Sequence, residues 1–385
     1  MRVVIALLDG VGVGALPDAH RYKDMGAHTL LHTARAVGGL RLPCLEKMGL
    51  GCIDSFPGIH PSQQPIAFHG KMQERSAGKD TTTGHWEIAG LILDQPFPLY
   101  PQGFPEPIVR EIERVFGKRI LGNVPASGTE IINQLGKEHL RTGFPIVYTS
   151  ADSVFQVACH EDIIPPGELY DLCRRARAIL QGEHGVARVI ARPFSGKPGN
   201  FVRTPRRKDF SLPPPAPTIL DAVVKRGKTT VGVGKINDIF AQTGVSKSYP
   251  VSGNKEIFSL LIDIQKEKEG DLVWANFNDF DTLYGHRNDP KGFAASLEEW
   301  DRQCMDFLPL LGPEDLFFVT SDHGCDPTYP GTDHTREYAM LLSYFSGTRV
   351  TPSSLGIRKS FADLGASAAS FLGVPWKGAG RSFAG

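Results

Sequence analysis

Residues 317–338, FFVTSDHGCDPTYPGTDHTREY, carry the residue types of a divalent-metal site. Asp322 and His323 follow an apolar run at 316–319 that reads as a buried strand, and Gly324 is expected to allow a sharp turn there. Eleven residues after His323 comes a second imidazole, His334. A carboxylate and an imidazole at a strand end, joined by an imidazole returning on a loop, can hold a cation. An Asp-His pair alone is more often a surface turn, so the weight falls on what other segments bring to it.

Two further apolar runs end in acids. Residues 3–8 form a continuous apolar run, the pattern of a strand buried on both faces, and end at Asp9. The run at 271–277 leads to Asp279 and Asp281, and His286 lies five residues after Asp281. In open α/β sheets ligands bind beyond the carboxyl ends of the strands. Asp9, Asp281, Asp322, His286, His323 and His334 are therefore expected on one rim. That exceeds the three protein ligands of a catalytic zinc. It suits a pair of metals, about 3.5–4 Å apart, that flank a phosphoryl group. Nitrogen and oxygen donors without thiolate fit Mn or Zn.

Phosphoryl transfer through the protein needs a nucleophile. Thr81, Thr82 and Thr83, in a glycine-flanked stretch that reads as a polar turn, offer hydroxyls that a metal can activate. His85-Trp86-Glu87 has the H-x-E half of a zinc deaminase signature but not the P-C-x-x-C half, and is set aside. Gly10, Gly12 and Gly14 are spaced G-x-G-x-G rather than G-x-G-x-x-G. They read as backbone packed close around a carboxylate, not as a dinucleotide fingerprint.

The elements that must position these residues exceed one ordinary core: 385 residues predict two domains. Prolines 96, 98, 101, 105 and 107, and again 213, 214, 215 and 217, form two stiff seams around a domain-sized insert. The expected division is core 1–95, inserted cap 96–215 and core 216–385. Within the insert, helices at 106–116 and 168–180 and strands at 146–149 and 187–191 predict an α+β unit. After it, strands are expected at 228–234, 271–277 and 316–319, with a closing helix at 361–372. Phe293, Leu297, Trp300, Cys304, Phe307 and Leu311 recur at helical spacing as a core-facing stripe.

Composition narrows the partners. Lys+Arg and Asp+Glu both number 42, so zero net charge gives no reason to expect nucleic acid or an anionic membrane. The basic cluster at 203–208 is local, either a solvated loop or an anion site. Six scattered cysteines without a C-x-x-C pair suggest a reducing cytosol. The first apolar run is too short for a signal peptide, and no stretch approaches the roughly 18 residues of a membrane span. A cytoplasmic enzyme of small molecules is expected.

Three groups of motifs carry a resemblance. They are G-K-D-T-T-T-G-H-W-E at 78–87, D-F-D-T-L-Y-G-H-R at 279–287, and S-D-H-G with P-G-T-D-H-T-R-E-Y at 321–338. With segments at 148–154, 188–194 and 198–205, they make the chain resemble the phosphopentomutase family of the alkaline phosphatase superfamily over nearly its whole length. The resemblance implies an α/β fold: an alkaline-phosphatase-like core with a largely parallel central sheet flanked by helices, plus a smaller inserted α+β cap. It implies an isomerase that interconverts ribose 1-phosphate or 2-deoxyribose 1-phosphate with the 5-phosphate. Two manganese ions would be held, one by Asp9, Asp322 and His323 with Thr81, the other by Asp281, His286 and His334. Thr81 would carry the phosphoryl group, a bisphosphate would be the intermediate, and a hexose 1,6-bisphosphate would prime the enzyme. Arg188, Arg203 and Lys235 would hold the other phosphate, for which the arginine fork is well shaped, and Asp152 and Ser150 the sugar hydroxyls. Cys325 and Asn278 depart from the family pattern, and Cys325 is expected to be an oxidation-sensitive thiol. A phosphatase or a cofactor-independent phosphoglycerate mutase on the same architecture is the nearest rival; a metal-dependent binding protein without catalysis is the other.

Overall fold

The computed structural model describes residues 1–150, 152–347 and 351–383. The chain folds as two compact units, Met1–Pro96 with Pro214–Gly385, and Phe97–Pro213. Up to Pro96 it supplies β1 (Arg2–Leu8), β2 (Gly12–Ala15), α1 (Thr29–Val37), α2 (Pro43–Met48), β3 (Phe68–Met72) and α3 (Thr81–Ile88). The second unit contains α4 (Glu106–Phe116), β4 (Leu121–Pro125), α5 (Gly128–Thr142), β5 (Ile146–Thr149), β6 (Val154–His160), α6 (Pro166–Ile179), β7 (Arg188–Lys197), β8 (Asn200–Arg203) and β9 (Lys208–Ser211). The first unit then resumes with α7 (Ile219–Lys225), β10 (Thr230–Val233), α8 (Ile236–Ile239), β11 (Lys247–Tyr249), α9 (Asn254–Lys266) and β12 (Leu272–Phe277). It closes with α10 (Pro290–Phe307), β13 (Asp315–Thr320), β14 (Glu337–Phe345), β15 (Ser354–Arg358) and α11 (Ala362–Phe371).

The sheet of the first unit runs β11-β10-β12-β1-β13-β14-β3-β15, with β2 also on β14. Strands β11, β10, β12, β1 and β13 are parallel. β14 is antiparallel to β13, to β2 and to β3, so it alone among these strands runs against the rest. Every residue of β1, β12 and β13 is buried, which is why each reads as a largely apolar run, with Asn276 the polar exception inside β12. Val4, Ala6 and Leu8 alternate into one cluster with Phe293, Leu297, Trp300, Cys304 and Phe307, the apolar stripe of α10. Helices α1, α2 and α9 contact α10, while α3, α7, α8 and α11 form a second group. β3 gave no sequence signal, because F-H-G-K-M breaks the apolar run with a histidine, a glycine and a lysine.

The threonine triplet is not the polar turn its composition suggests but the first turn of α3. Asp80 caps that helix: its Oδ1 accepts from Thr83 N at 3.1 Å, and its Oδ2 accepts from Thr83 Oγ1 at 2.5 Å. The other end of α3 is anchored by Glu87, fully buried, which accepts from Arg75 N, Ser76 N, Ser360 Oγ and Phe361 N at 2.6–3.1 Å. The second unit holds a six-stranded mixed sheet, order β4-β5-β6-β7-β8 with β9 on β7, covered by α4, α5 and α6.

Arg336 is among the largest fully buried side chains. Its Nη1 donates to Glu74 Oε2 (2.5 Å), Ser76 O (2.9 Å) and Gly78 O (2.6 Å), and its Nη2 to Asp18 Oδ2 (3.0 Å). Burial pushes the Glu74 carboxyl up despite this partner. Removing the guanidinium strands a buried carboxylate. Arg336→Met is therefore expected to cost roughly 3–5 kcal/mol of stability, read from the urea midpoint. Adding Glu74→Gln should recover a large part of that loss.

Candidate metal centre

The registers explain how distant acids meet. Leu8 pairs with Phe277 on β12, and Leu7 with Thr320 on β13, all parallel. Asp9 therefore leaves the central strand one residue after Leu8, with Asp322 two residues past the end of β13. Asp281 lies in a π-helical turn, Phe280–Tyr284, just past β12; such widened turns recur at functional sites. Asp279, the other acid of that segment, is spent on structure: its Oδ2 accepts from Asn254 N at 2.7 Å at the start of α9.

Two groups of donor atoms result: Asp9, Asp281 and His323 in one, Asp281, His286 and His334 in the other, each set within 4.8 Å. In the first, His323 Nε2 stands 3.3 Å from Asp9 Oδ1, 3.4 Å from Asp322 Oδ2 and 3.1 Å from Thr81 Oγ1. In the second, Nε2 of His286 and Nε2 of His334 are 3.1 Å apart, and Asp281 Oδ1 is 3.2 and 3.1 Å from them. The ring backs are committed. His323 Nδ1 donates to Gly324 O at 3.1 Å and His286 Nδ1 to Thr332 O at 2.6 Å, leaving both Nε2 atoms facing inward.

Asp9, Asp281 and Asp322 are all buried, and Asp9 Oδ1, Asp281 Oδ1 and Asp322 Oδ2 have no hydrogen-bond partner. Buried carboxylate oxygens left this way, gathered with imidazole Nε2 atoms, fit divalent cations. Burial pushes the Asp9 carboxyl up, but Lys235, 3.6 Å away, and His323 outweigh it and hold it at about 2. Burial likewise opposes ionisation of Asp281, and His334 and His286 outweigh it, so its pKa is lowered.

Thr81 is the half-buried member of its triplet. Thr82 and Thr83 are buried, and the Thr83 hydroxyl is bonded to Asp80. Lys79 reaches Asp24 at 3.1 Å and Asp333 at 3.0 Å, tying the segment before Thr81 to the loop that carries His334. The glycines after β1 do pack around carboxylates: Gly10 N donates to Asp322 Oδ1 at 3.2 Å, and Gly12 and Gly14 surround Glu337. Gly14 N donates to it at 3.0 Å, and a Cβ on Gly12 would lie 2.5 Å from its Oε2. Gly324 is needed for the same reason rather than for a turn. It bridges to Thr335, and a Cβ there would lie 2.2 Å from Glu337 Oε1.

Lys235 lies in the first unit, between β10 and α8, at Asp9 rather than among the residues of the insert. Within the second unit, Arg188 stands 3.9 Å from Asp152 and 3.7 Å from Asp209, and Asp152 N donates to Ser150 Oγ at 3.4 Å. Arg203 Nη2 donates to Thr129 Oγ1 at 2.9 Å. Much of the 203–208 basic cluster is already paired: Arg206 with Glu161, and Arg207 with Asp209 at 2.6 Å. Cys325 is 1% exposed, and burial pushes its thiol well up, so it lacks the accessible thiolate that the oxidation expectation needs. His85, Asn276 and Lys79 were not read as site residues. Their only signal was position, inside or beside the motifs.

Fold and site together define a metal-dependent enzyme of alkaline-phosphatase-like architecture. A profile described as the Metalloenzyme superfamily matches residues 1–376. A phosphopentomutase of Dictyoglomus turgidum is 55% identical over 383 residues, covering 99% of this chain and 97% of its own. One of Thermotoga petrophila is 52% identical, covering 100% of this chain and 98% of its own. A solved phosphoglycerate mutase of Leishmania mexicana aligns over 99% of this chain and 97% of its own at 12% identity, with a TM-score of 0.48. The chain belongs to the phosphopentomutase family of that superfamily, which places it among the isomerases.

A Cβ on Gly84 of α3 would sit 2.3 Å from Asp322 O, so only glycine lets this helix lie against the metal-binding segment. Gly84→Ala should push Thr81 away from His323. We expect turnover to fall on the order of 100-fold, as misplacements near 1 Å do, with a loss of thermal stability too small to account for it.

Proposed function

We propose that this chain interconverts ribose 1-phosphate or 2-deoxyribose 1-phosphate with the corresponding 5-phosphate, through a phosphothreonine at Thr81 and a pentose bisphosphate. The observation that carries the proposal is the placement of the Thr81 hydroxyl 3.1 Å from His323 Nε2, beside the unpartnered oxygens of Asp9 and Asp322. The relatives named phosphopentomutase support the choice of substrate.

Asp9, Asp322 and His323 would hold one Mn²⁺ with Thr81, and Asp281, His286 and His334 the other. When bound, the pair of cations supplies charge stabilisation to the phosphoryl oxygens and lowers the pKa of the hydroxyl. Thr81, at the first turn of α3, is where the helix dipole favours an anion, so the phosphorylated side chain sits at the positive end of its own helix. Phosphothreonine donates its group to the sugar phosphate. The bisphosphate reorients, and the opposite phosphate returns to Thr81. A hexose 1,6-bisphosphate would prime the cycle. Lys235 would face the transferred group from the Asp9 side. Residues 96–215 would serve as a cap, with Arg188 and Arg203 on the second phosphate and Asp152 and Ser150 on the sugar hydroxyls. A cytoplasmic setting accords with six free cysteines among the described residues, where no helix is long and apolar enough to cross a membrane.

The test is Thr81→Ala, assayed for 5-phosphate formation from ribose 1-phosphate and for Mn²⁺ binding. Mutase activity should vanish while both ions still bind, because five of the six side-chain carboxylates and imidazoles are untouched by Thr81 and the sixth, His323, keeps its ring in place. The wild type should show phosphothreonine at residue 81 by mass spectrometry. Retained turnover in the variant, or release mainly of free phosphate by the wild type, defeats the proposal.

A further inference from the structure

Behind the first group of ligands lie two fully buried polar side chains, His85 and Asn276. Asn276 stands on β12, paired in register with Leu7 of β1, and His85 stands on α3, one turn after Thr81. Asn276 Nδ2 is 3.1 Å from Asp9 Oδ2 and 3.1 Å from His85 Nε2. His85 Nδ1 is 2.8 Å from Thr81 O and 3.0 Å from Asp322 Oδ2. His85 is held flat by stacking on Trp274, with centroids 5.6 Å apart and rings 10° from parallel.

Chemistry fixes the direction of this chain. An amide oxygen beside the Asp9 carboxylate would be repelled, so the atom there is the NH₂. One hydrogen goes to Asp9 Oδ2 and the other to His85 Nε2, which must be the bare nitrogen. His85 Nδ1 then carries the proton and donates to Thr81 O, with Asp322 Oδ2 beside it. Asp9, which would hold one cation, is thus hydrogen-bonded from behind to a relay that carries no net charge and whose far end holds Thr81 O. A charged relay would compete with the cation.

We propose that His85 and Asn276 are positioning residues for the cation site formed by Asp9, Asp322 and His323. They fix the rotation of the Asp9 carboxylate relative to the start of α3, and they have no part in the site formed by Asp281, His286 and His334. This rests on the two-cation reading above. Partners behind metal ligands typically contribute roughly 10–100-fold in affinity.

The experiment measures Mn²⁺ binding to the metal-stripped full chain by electron paramagnetic resonance. Two backgrounds isolate the sites: His334→Ala, which leaves the first, and His323→Ala, which leaves the second. Asn276→Leu, and separately His85→Gln, should weaken the ion about 10–100-fold in the His334→Ala background. Binding in the His323→Ala background should be unchanged. The metal-free melting temperature, taken in parallel, reports packing damage. Equal weakening in both backgrounds, or weakening in neither, overturns the role of the pair while two-ion binding by the wild type stands. A wild type that binds fewer than two ions overturns the two-cation reading and this role together. Should one variant fold poorly, the other carries the same comparison.

Discussion

Three carboxylates of like charge are delivered to one small volume by three neighbouring strands, and most of the first unit answers to that constraint. β12, β1 and β13 are locked side by side in parallel register, so Asp281, Asp9 and Asp322 cannot separate without loss of ladder hydrogen bonds. Donor oxygens of Asp9 and Asp281 lie within 4.8 Å. At an effective dielectric near 20, two unit charges at that spacing repel by about 3–4 kcal/mol. Burial removes the water that would screen them. Lys235 offsets part of this at Asp9, and His286 and His334 offset part at Asp281. Unpartnered inward oxygens remain, an arrangement that suits divalent cations.

The Thr81 hydroxyl is presented by a separate set of ties that end in the same loop. Lys79 binds Asp333, Arg336 holds the carbonyls of Ser76 and Gly78, and Gly84 lets α3 lie on Asp322. Arg336 and Asp333 flank His334 in sequence, so the segment that carries this imidazole also clamps the approach to Thr81. Glu337, next along, draws in the chain from Gly14 and Thr29. Ligands and hydroxyl are held by one interlocked group of buried ion pairs and hydrogen bonds rather than by adjacent loops. The second unit is built differently. Its arginines Arg188 and Arg207 are partly exposed and stand near or pair with carboxylates of the same unit.

Much of this was legible before folding was known. The runs at 3–8, 271–277 and 316–319 announced buried strands because burial on both faces removes any alternation. The acids at their ends stood out because an apolar run rarely stops at a carboxylate without cause. The periodic stripe of α10 was equally plain. Other features carried no such mark. Thr81 reads as turn chemistry, since threonine and glycine favour loops; its helix exists because Asp80 caps it and Glu87 fastens its far end to residues near 75 and 360. β3 has no apolar run and is a strand because β14 and β15 pair with it.

By itself the sequence determined which side chains could do chemistry, and that several lie where parallel strands end. Local pattern suffices for that, because periodicity and strand length depend on neighbours in the chain. Only the tertiary structure decided that Asp281 and not Asp279 faces the site, that Lys235 stands at Asp9, and that Asn276 and His85 lie between Asp9 and Thr81. Those choices depend on strand order and register, and on which way a helix lies across a sheet. Contacts between residues hundreds of positions apart set them, and such contacts leave no periodic trace along the chain.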